Sequence, residues 1–132
     1  MADVICSLIS RAKHRVYICS YLLLMPFLLV QIVKAKKRGC DVKVLVDSDD
    51  RNWNPIAYLR KNDIEVRIWK SWGRGKLHAK FIIADQRALV GSANITQDAM
   101  NNNFEIMILL TGKAVEDLAQ IFLREFAFSE LY

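Results

Sequence analysis

The chain has 132 residues, of which 53% are hydrophobic and 25% are charged, a composition that excludes a disordered or low-complexity chain. Its 19 Lys and Arg residues against 14 Asp and Glu give a net charge of +5, which favours polyanionic partners. The length predicts a single domain over residues 1–132, short for an enzyme with two sites. Three cysteines, none in C-x-x-C spacing, predict reduced thiols in a cytoplasmic protein.

Hydrophobic periodicity and turn residues predict helices and strands that alternate along the chain. Helices are predicted over residues 4–12 with Asp3 as the N-cap, over 26–38 with Gly39 as the stop, over 55–61, and over 114–126 with Val115, Leu118, Ile121 and Phe122 on the apolar face. Strands are predicted over residues 15–20, 41–46, 64–69, 77–84, 88–90 and 104–110. This order predicts an α/β fold: a mixed, largely parallel sheet flanked by helices on both faces.

One uncharged segment, residues 16–33, is nearly long enough to cross a bilayer. Pro26 suits the first turn of a helix, however, and Ser20 interrupts the apolar run. We therefore expect a buried strand, a turn and a helix that covers the sheet or a subunit contact, with a membrane span as the alternative. If the part of this run at residues 21–30 were exposed, it would favour a lipid substrate.

His78 and Lys80 stand two residues apart in a pattern that is otherwise apolar. On a β-strand such residues point to the same face, so the two side chains are expected to emerge together. An imidazole beside a fixed cation suits chemistry on a phosphate, because one group attacks or transfers a proton while the other holds the anion. The alternative for a single His on an apolar strand is a packed core residue.

The pattern His78-x-Lys80-x4-Asp85, followed by Gly91-Ser92-x-Asn94, resembles the signature of the phospholipase D superfamily, which includes phospholipases, cardiolipin synthases and several nucleases. The resemblance covers nearly the whole chain. It implies the phospholipase D-like fold with one motif per chain. Members with a single motif work as homodimers that bring one motif from each subunit to a shared site, so the resemblance implies the same here.

The resemblance also implies roles for individual residues. His78 would be the nucleophile or the general acid, depending on the subunit, and Lys80 and Asn94 would bind non-bridging phosphate oxygens. Glu105 lies where the family places an acid that hydrogen-bonds the motif His and sets its tautomer. The paired imidazoles need different protonation states, which predicts a bell-shaped dependence of activity on pH.

Three further residues of the motif are expected to assist binding or to support the local structure. Ser92 would assist phosphate binding, although it could instead cap a helix that begins near Ile95. Asp85 and Gly91 are expected to be structural. Five residues separate them, where the family commonly has six, and a tight hairpin turn at Asp85-Gln86 would account for the difference.

Basic and aromatic residues alternate just before the motif, where Trp72, Arg74 and Lys76 are predicted to bind substrate. Such a mixture suits a groove for single-stranded nucleic acid. The alternative is that Trp69 belongs to the core and the cations are solvated. A cluster of acids, Asp47, Asp49 and Asp50, fits no metal-binding template and is expected to be a solvated loop.

Together these features predict a metal-independent phosphodiester hydrolase without a cofactor, most simply a homodimeric nuclease on DNA or RNA that forms a phosphohistidine. A phospholipase D-type lipid hydrolase, acting on a membrane lipid such as cardiolipin, is the second reading. A nucleic-acid-binding module without catalysis is the third.

Overall fold

The computed structural model describes residues 1–69 and 75–129. Within them the elements are α1 Ala2–Ser10, β1 Arg15–Ser20, α2 Pro26–Lys37, β2 Asp41–Asp47, a 3₁₀ turn Asp50–Asn52, α3 Trp53–Lys61, β3 Glu65–Trp69, β4 Phe81–Ala84, β5 Arg87–Gly91, α4 Gln97–Asn101, β6 Met107–Thr111 and α5 Lys113–Phe128. The six strands form one sheet in the order β3-β2-β1-β4-β5-β6. Most predicted elements agree to within a few residues, and β1 agrees at both ends.

The sheet is mixed, as predicted, but its parallel share is smaller than expected. Parallel pairing joins β1 to β2 and β2 to β3. Strand β4 pairs antiparallel with β1, and β5 and β6 continue antiparallel from it. The two-residue turn Asp85-Gln86 accounts for the antiparallel β4–β5 pair, because a connection this short can join only antiparallel strands.

Helices cover both faces of the sheet, which confirms the predicted architecture. Helices α1, α2 and α3 bury residues such as Ile5, Leu28 and Leu59 on one face. Helix α5 buries Phe122 on the other face, where its ring stacks on Tyr17 with 5.0 Å between the ring centroids. The expected apolar face of α5 was partly wrong, because Ile121 is 46% exposed while Ala119 and Phe126 are buried.

The uncharged segment 16–33 forms β1 and most of α2, as expected. Leu23 and Leu28 are buried in the core, while Phe27 is 60% exposed and Val30 is 39% exposed. Among the described residues, no helix is long and apolar enough to cross a membrane. Half of the residues in the run 21–30 are buried, namely Leu22, Leu23, Met25, Leu28 and Leu29, so the run is mainly part of the core.

Asp85 anchors the β4–β5 hairpin to the backbone at the start of β1. Its carboxylate accepts hydrogen bonds from the backbone N–H groups of Lys13, His14 and Arg15 at 2.9, 2.8 and 3.1 Å. Its φ of 54° places it in the left-handed region, which Asp tolerates. The three hydrogen bonds outweigh desolvation and lower the pKa of Asp85. Its stabilisation is present above the unfolded pKa near 3.8 and is lost as the pH falls through the lower folded pKa.

Gly91 has a packing reason for its lack of a side chain. A Cβ placed there would lie 2.0 Å from the Ile106 carbonyl oxygen and 2.8 Å from the Met107 Cα. Both atoms belong to the backbone next to β5, so Ala would push β5 and the β6 segment apart. The contacts of Asp85 and Gly91 are those of structural residues.

Candidate active site

His78 and Lys80 lie on residues 75–80, a segment without regular secondary structure that leads into β4. The prediction of a strand from residue 77 was therefore wrong in its first four residues. The side chains nevertheless meet, with 3.1 Å between the Lys80 Nζ and the His78 Nδ1. The Lys80 Nζ also donates to the His78 carbonyl oxygen at 2.6 Å. His78 is exposed and Lys80 is only 7% exposed, so the imidazole faces solvent over a buried cation.

Burial lowers the pKa of Lys80 from its ordinary value, and the negative charge of Glu105 partly offsets this effect. A buried ammonium is costly because it loses hydration, and it persists only where nearby acceptors replace water. Here the His78 carbonyl oxygen and the imidazole supply those acceptors. The fold therefore holds the Lys80 ammonium beside the His78 imidazole without the help of a bound phosphate.

Ser92 and Glu105 form a second pair at the ends of β5 and β6. The Ser92 hydroxyl donates to the Glu105 Oε1 at 2.7 Å and accepts from the Ile106 N–H at 3.0 Å. The other Glu105 oxygen accepts from the Asn103 amide at 3.2 Å. The expected hydrogen bond from Glu105 to His78 is not formed in the described part of the chain, because these neighbours occupy the carboxylate while Lys80 occupies Nδ1.

Ser92 does not cap a helix. Helix α4 begins later than expected, and its N-cap is Thr96, whose hydroxyl accepts from the Ala99 N–H at 3.1 Å. The Ser92 hydroxyl instead links β5 to the backbone before β6, beside Glu105. The helix-cap alternative for Ser92 is thus excluded.

Asn94 belongs to the same end of the sheet. Its side-chain oxygen accepts from the Leu22 N–H at 3.3 Å, directly after Tyr21. The Tyr21 ring lies against the His78 imidazole, with 5.5 Å between the ring centroids. The fold thereby brings His78, Lys80, Asn94 and Glu105 to one end of the sheet.

Tyr21 is a site residue that the sequence reasoning missed. Its hydroxyl donates to the Asp49 Oδ2 at 2.9 Å, and the Lys76 Nζ lies 5.6 Å from its ring centroid. Arg51 holds the same Asp49 carboxylate through its Nε at 2.9 Å and lowers the pKa of Asp49. The signal that could have pointed to Tyr21 is its position directly after β1, where parallel strands place binding residues.

The basic segment before the motif is only partly described. Trp72 and Arg74 lie outside the described residues, and Lys76 is exposed beside Tyr21. Trp69 is half-buried and donates from its indole nitrogen to the Glu125 Oε2 at 3.1 Å. A cavity of about 290 Å³ opens beside His78, lined by Trp69, Lys76 and the apolar side chains of Leu77, Phe81 and Phe122.

The acidic loop after β2 is not uniformly solvated, contrary to expectation. Asp50 is exposed, but Asp47 is 7% exposed and accepts hydrogen bonds from backbone N–H groups. Among residues 1–69 and 75–129, no group of three or more His, Cys, Asp or Glu side chains could hold a metal ion.

The chain is similar to a family model and to several known proteins over most of its length. Residues 5–128 match the family model described as the cardiolipin synthase, phospholipase D-like domain. The chain is 32% identical over 118 residues to the mitochondrial cardiolipin hydrolase of Canis lupus familiaris, covering 87% of this chain and 44% of the relative. It is 29% identical over 112 residues to a phospholipase D of Rickettsia bellii, covering 83% of this chain and 55% of the relative. The chain thus spans about half the length of these curated relatives.

A solved structure is similar over almost its full length. The crystal structure of Nuc, a phospholipase D family member from Salmonella typhimurium, matches with a TM-score of 0.89 and 26% identity. The match covers 99% of this chain and 90% of Nuc. The similarity therefore includes both faces of the sheet and the end that carries His78 and Lys80.

Proposed function

The chain belongs to the phospholipase D superfamily, and we propose that it is a metal-independent nuclease that acts on DNA or RNA as a homodimer. The observation that carries the proposal is the exposed His78 imidazole beside the buried Lys80 ammonium. The net charge of +5 favours a polyanionic substrate, and the similarity to Nuc extends over nearly the whole chain.

Charge neutralisation comes first, because a phosphodiester is an anion that repels nucleophiles. Lys80 and Asn94 from each subunit would surround the non-bridging oxygens of the bound phosphate. While Lys80 is charged, it donates to the His78 Nδ1, so the neutral ring carries its proton on Nε2. A bound phosphate attracts the ammonium away from Nδ1, and Nδ1 is then free to take the ring proton by way of solvent. Glu105 would hold that proton, which leaves the Nε2 lone pair facing phosphorus.

Two displacements complete the reaction. The Nε2 lone pair forms a bond to phosphorus, and the leaving oxygen departs with the electron pair of the P–O bond and takes a proton from the partner subunit's His78. Water then attacks phosphorus and gives a proton to that second imidazole, while the N–P electron pair returns to Nε2. Two inversions at phosphorus predict overall retention of configuration.

The test of the nuclease is a panel of substrates in excess EDTA: plasmid, single-stranded DNA, RNA and vesicles that contain cardiolipin. We expect cleavage of at least one nucleic acid and no loss of rate relative to buffer without EDTA. Hydrolysis of cardiolipin alone would assign the lipid function instead. Binding of nucleic acid without cleavage would favour the binding module, and activity abolished by EDTA would contradict the metal-independent mechanism.

The lipid hydrolase is retained as a second candidate on one observation. Phe27 and Trp53, which are 60% and 42% exposed, lie in the first turns of the helices that follow β1 and β2, the strands that end at the site. Exposed aromatic side chains near a site suit contact with a lipid surface. The 32% identity to a cardiolipin hydrolase points in the same direction.

The proposed dimer has a surface in which apolar side chains flank the site. Phe104, Ile106 and Ile108 are 92%, 59% and 60% exposed, on or just before the edge strand β6. Glu105 lies between the first two, and the Ser92 hydroxyl bonds to the backbone of Ile106. Pairing of two chains over this surface would cover exposed apolar area and bring the two half-sites together.

Replacing Ile108 with Glu should therefore give a monomer and lower the hydrolysis rate by about 100-fold or more, because a shared site would lose half of its groups. Size-exclusion chromatography with light scattering gives the mass, and the same samples give the rate. Val30→Glu is the matched control, since Val30 is 39% exposed on α2 and should leave a full-rate dimer. A fully active Ile108→Glu monomer would contradict the shared site.

A further inference from the structure

Residues 75–80, which carry His78, are not part of a strand. Contacts other than strand pairing must therefore hold this segment in position. Besides the Lys80 Nζ bond to the His78 carbonyl oxygen and a 3.8 Å contact from the Cys19 Sγ to the Ala79 carbonyl oxygen, two hydrogen bonds join its backbone to neighbouring strands in the described structure. The Leu77 N–H donates to the Asp47 Oδ1 at 2.9 Å, and the Lys80 carbonyl oxygen accepts from the Gly91 N–H at 3.3 Å. His78 lies between these attachment points, directly after the first.

Asp47 is the last residue of β2, and its carboxylate bridges two separate stretches of backbone. While Oδ1 accepts from Leu77, Oδ2 accepts from the Asp49 N–H at 3.1 Å. The residue is only 7% exposed, and burying a carboxylate is costly unless its oxygens are hydrogen-bonded. An apolar residue at this strand end would avoid that cost, so the acid needs a reason beyond packing.

The backbone at Asp47 is itself held in place by the buried side-chain amide of Asn52. Asn52 is 0% exposed, and its Nδ2 donates to the Tyr21 carbonyl oxygen at 2.9 Å and to the Asp47 carbonyl oxygen at 3.1 Å. Its Oδ1 accepts from the Leu23 N–H at 3.0 Å. These three hydrogen bonds tie the ends of β1 and β2 together, so the Asp47 side chain projects from a rigid support.

We infer that Asp47 is a positioning residue for the hydrolysis: its carboxylate holds the Leu77 backbone so that the His78 imidazole stands over Lys80 at reacting distance from a bound phosphate. The inference rests on the proposed function for its catalytic consequence. Misplacement of a reacting group by about 1 Å lowers a rate by about 100-fold. Lys80 and Asn94 would still bind the phosphate without Asp47, so the loss should fall on kcat.

The test uses Asp47→Ala and the conservative Asp47→Asn, with bis(p-nitrophenyl) phosphate as a substrate that is neither nucleic acid nor lipid. We expect Asp47→Ala to lower kcat by about 100-fold with KM changed less than about threefold. Asp47→Asn keeps one acceptor oxygen and should lose about tenfold or less. Hydrogen exchange of the Leu77 amide should accelerate in step with the loss of kcat.

Two controls separate positioning from general destabilisation. Asp50→Ala removes an exposed carboxylate of the same loop and should leave kcat and Leu77 exchange unchanged. Val66→Ala removes buried volume from β3 and should lower stability without lowering kcat. A folded Asp47→Ala protein with wild-type kcat would overturn the inference, as would a kcat loss equalled by Val66→Ala.

The outcomes also distinguish this inference from the proposed function. If Asp47→Ala does not fold, Asp47→Asn provides the test. An Asp47→Asn protein that keeps the wild-type kcat although its Leu77 amide exchanges rapidly would overturn the positioning role. If the wild-type chain hydrolyses no phosphodiester, the proposed function fails. The Leu77 amide then still tests the contact, since unprotected exchange in the wild-type protein would remove the physical basis of the inference.

Discussion

Replacing His78 with Asn should lower kcat/KM by about 10,000-fold or more, because one residue would serve as nucleophile in one subunit and as general acid in the other. Asn preserves polarity and approximate size but offers neither a nucleophilic ring nitrogen nor a transferable proton. The measurement is steady-state hydrolysis of bis(p-nitrophenyl) phosphate and of the preferred nucleic acid. Wild-type protein quenched in alkali, in which the N–P bond is stable, should show a phosphohistidine that the variant lacks.

The chain supplies its own control, since it has two histidines. His14→Asn alters the other imidazole, which is exposed at the start of β1, and should leave the rate unchanged. Mixing wild-type and His78→Asn chains and refolding them together gives a stronger test. With a shared site, activity should follow the square of the wild-type fraction, so an equal mixture keeps about a quarter. Linear dependence would contradict the need for both imidazoles.

Replacing Lys80 with Met should lower kcat/KM by about 1,000-fold, because the site would lose the charge that neutralises the phosphate from both subunits. The same substitution removes a buried ammonium and fills its space with an apolar side chain. Burial already lowers the pKa of Lys80, which means that the fold disfavours its charge. Thermal unfolding should therefore show a midpoint that is equal to or higher than that of the wild-type protein.

Lys80→Met should thus lose activity without losing stability. Lys61→Met, on the exposed last turn of α3, is the matched control and should change neither by much. A large fall in the midpoint of Lys80→Met would assign Lys80 a structural role instead. An unchanged rate would remove it from the site.

Local patterns predicted the elements well where the signal was contained within a few residues. Pro26 and Gly39 marked the ends of α2, and Gly39 has the positive φ of 99° that a helix stop of this kind requires. The two-residue turn at Asp85-Gln86 was likewise predicted from spacing. The start of α1 was predicted less well, since Met1 and not Asp3 is its N-cap.

The sequence predicted that His78 and Lys80 lie together, but it did not predict the contacts that support them. The His78 and Lys80 pair follows from spacing two residues apart, and their contact survives although the backbone is not a strand. The hydrogen bond from Leu77 to Asp47 joins residues that are 30 positions apart in the sequence, and the local pattern around either residue does not predict it. For the same reason the local pattern predicts a solvated acid at Asp47 and gives no indication of Tyr21 at the site.

The attachment of Leu77 to Asp47 bears on how this motif can be moved between proteins. A peptide that includes residues 76–94 would contain His78, Lys80 and Asn94. It would lack Asp47, which lies at the end of β2 and accepts the hydrogen bond from Leu77. Recombination or design that exchanges only the motif would separate His78 and Lys80 from the Asp47 contact. If Asp47 positions His78 as inferred, we expect a transferable segment to begin at the end of β1 and to include the end of β2, well before the first motif residue.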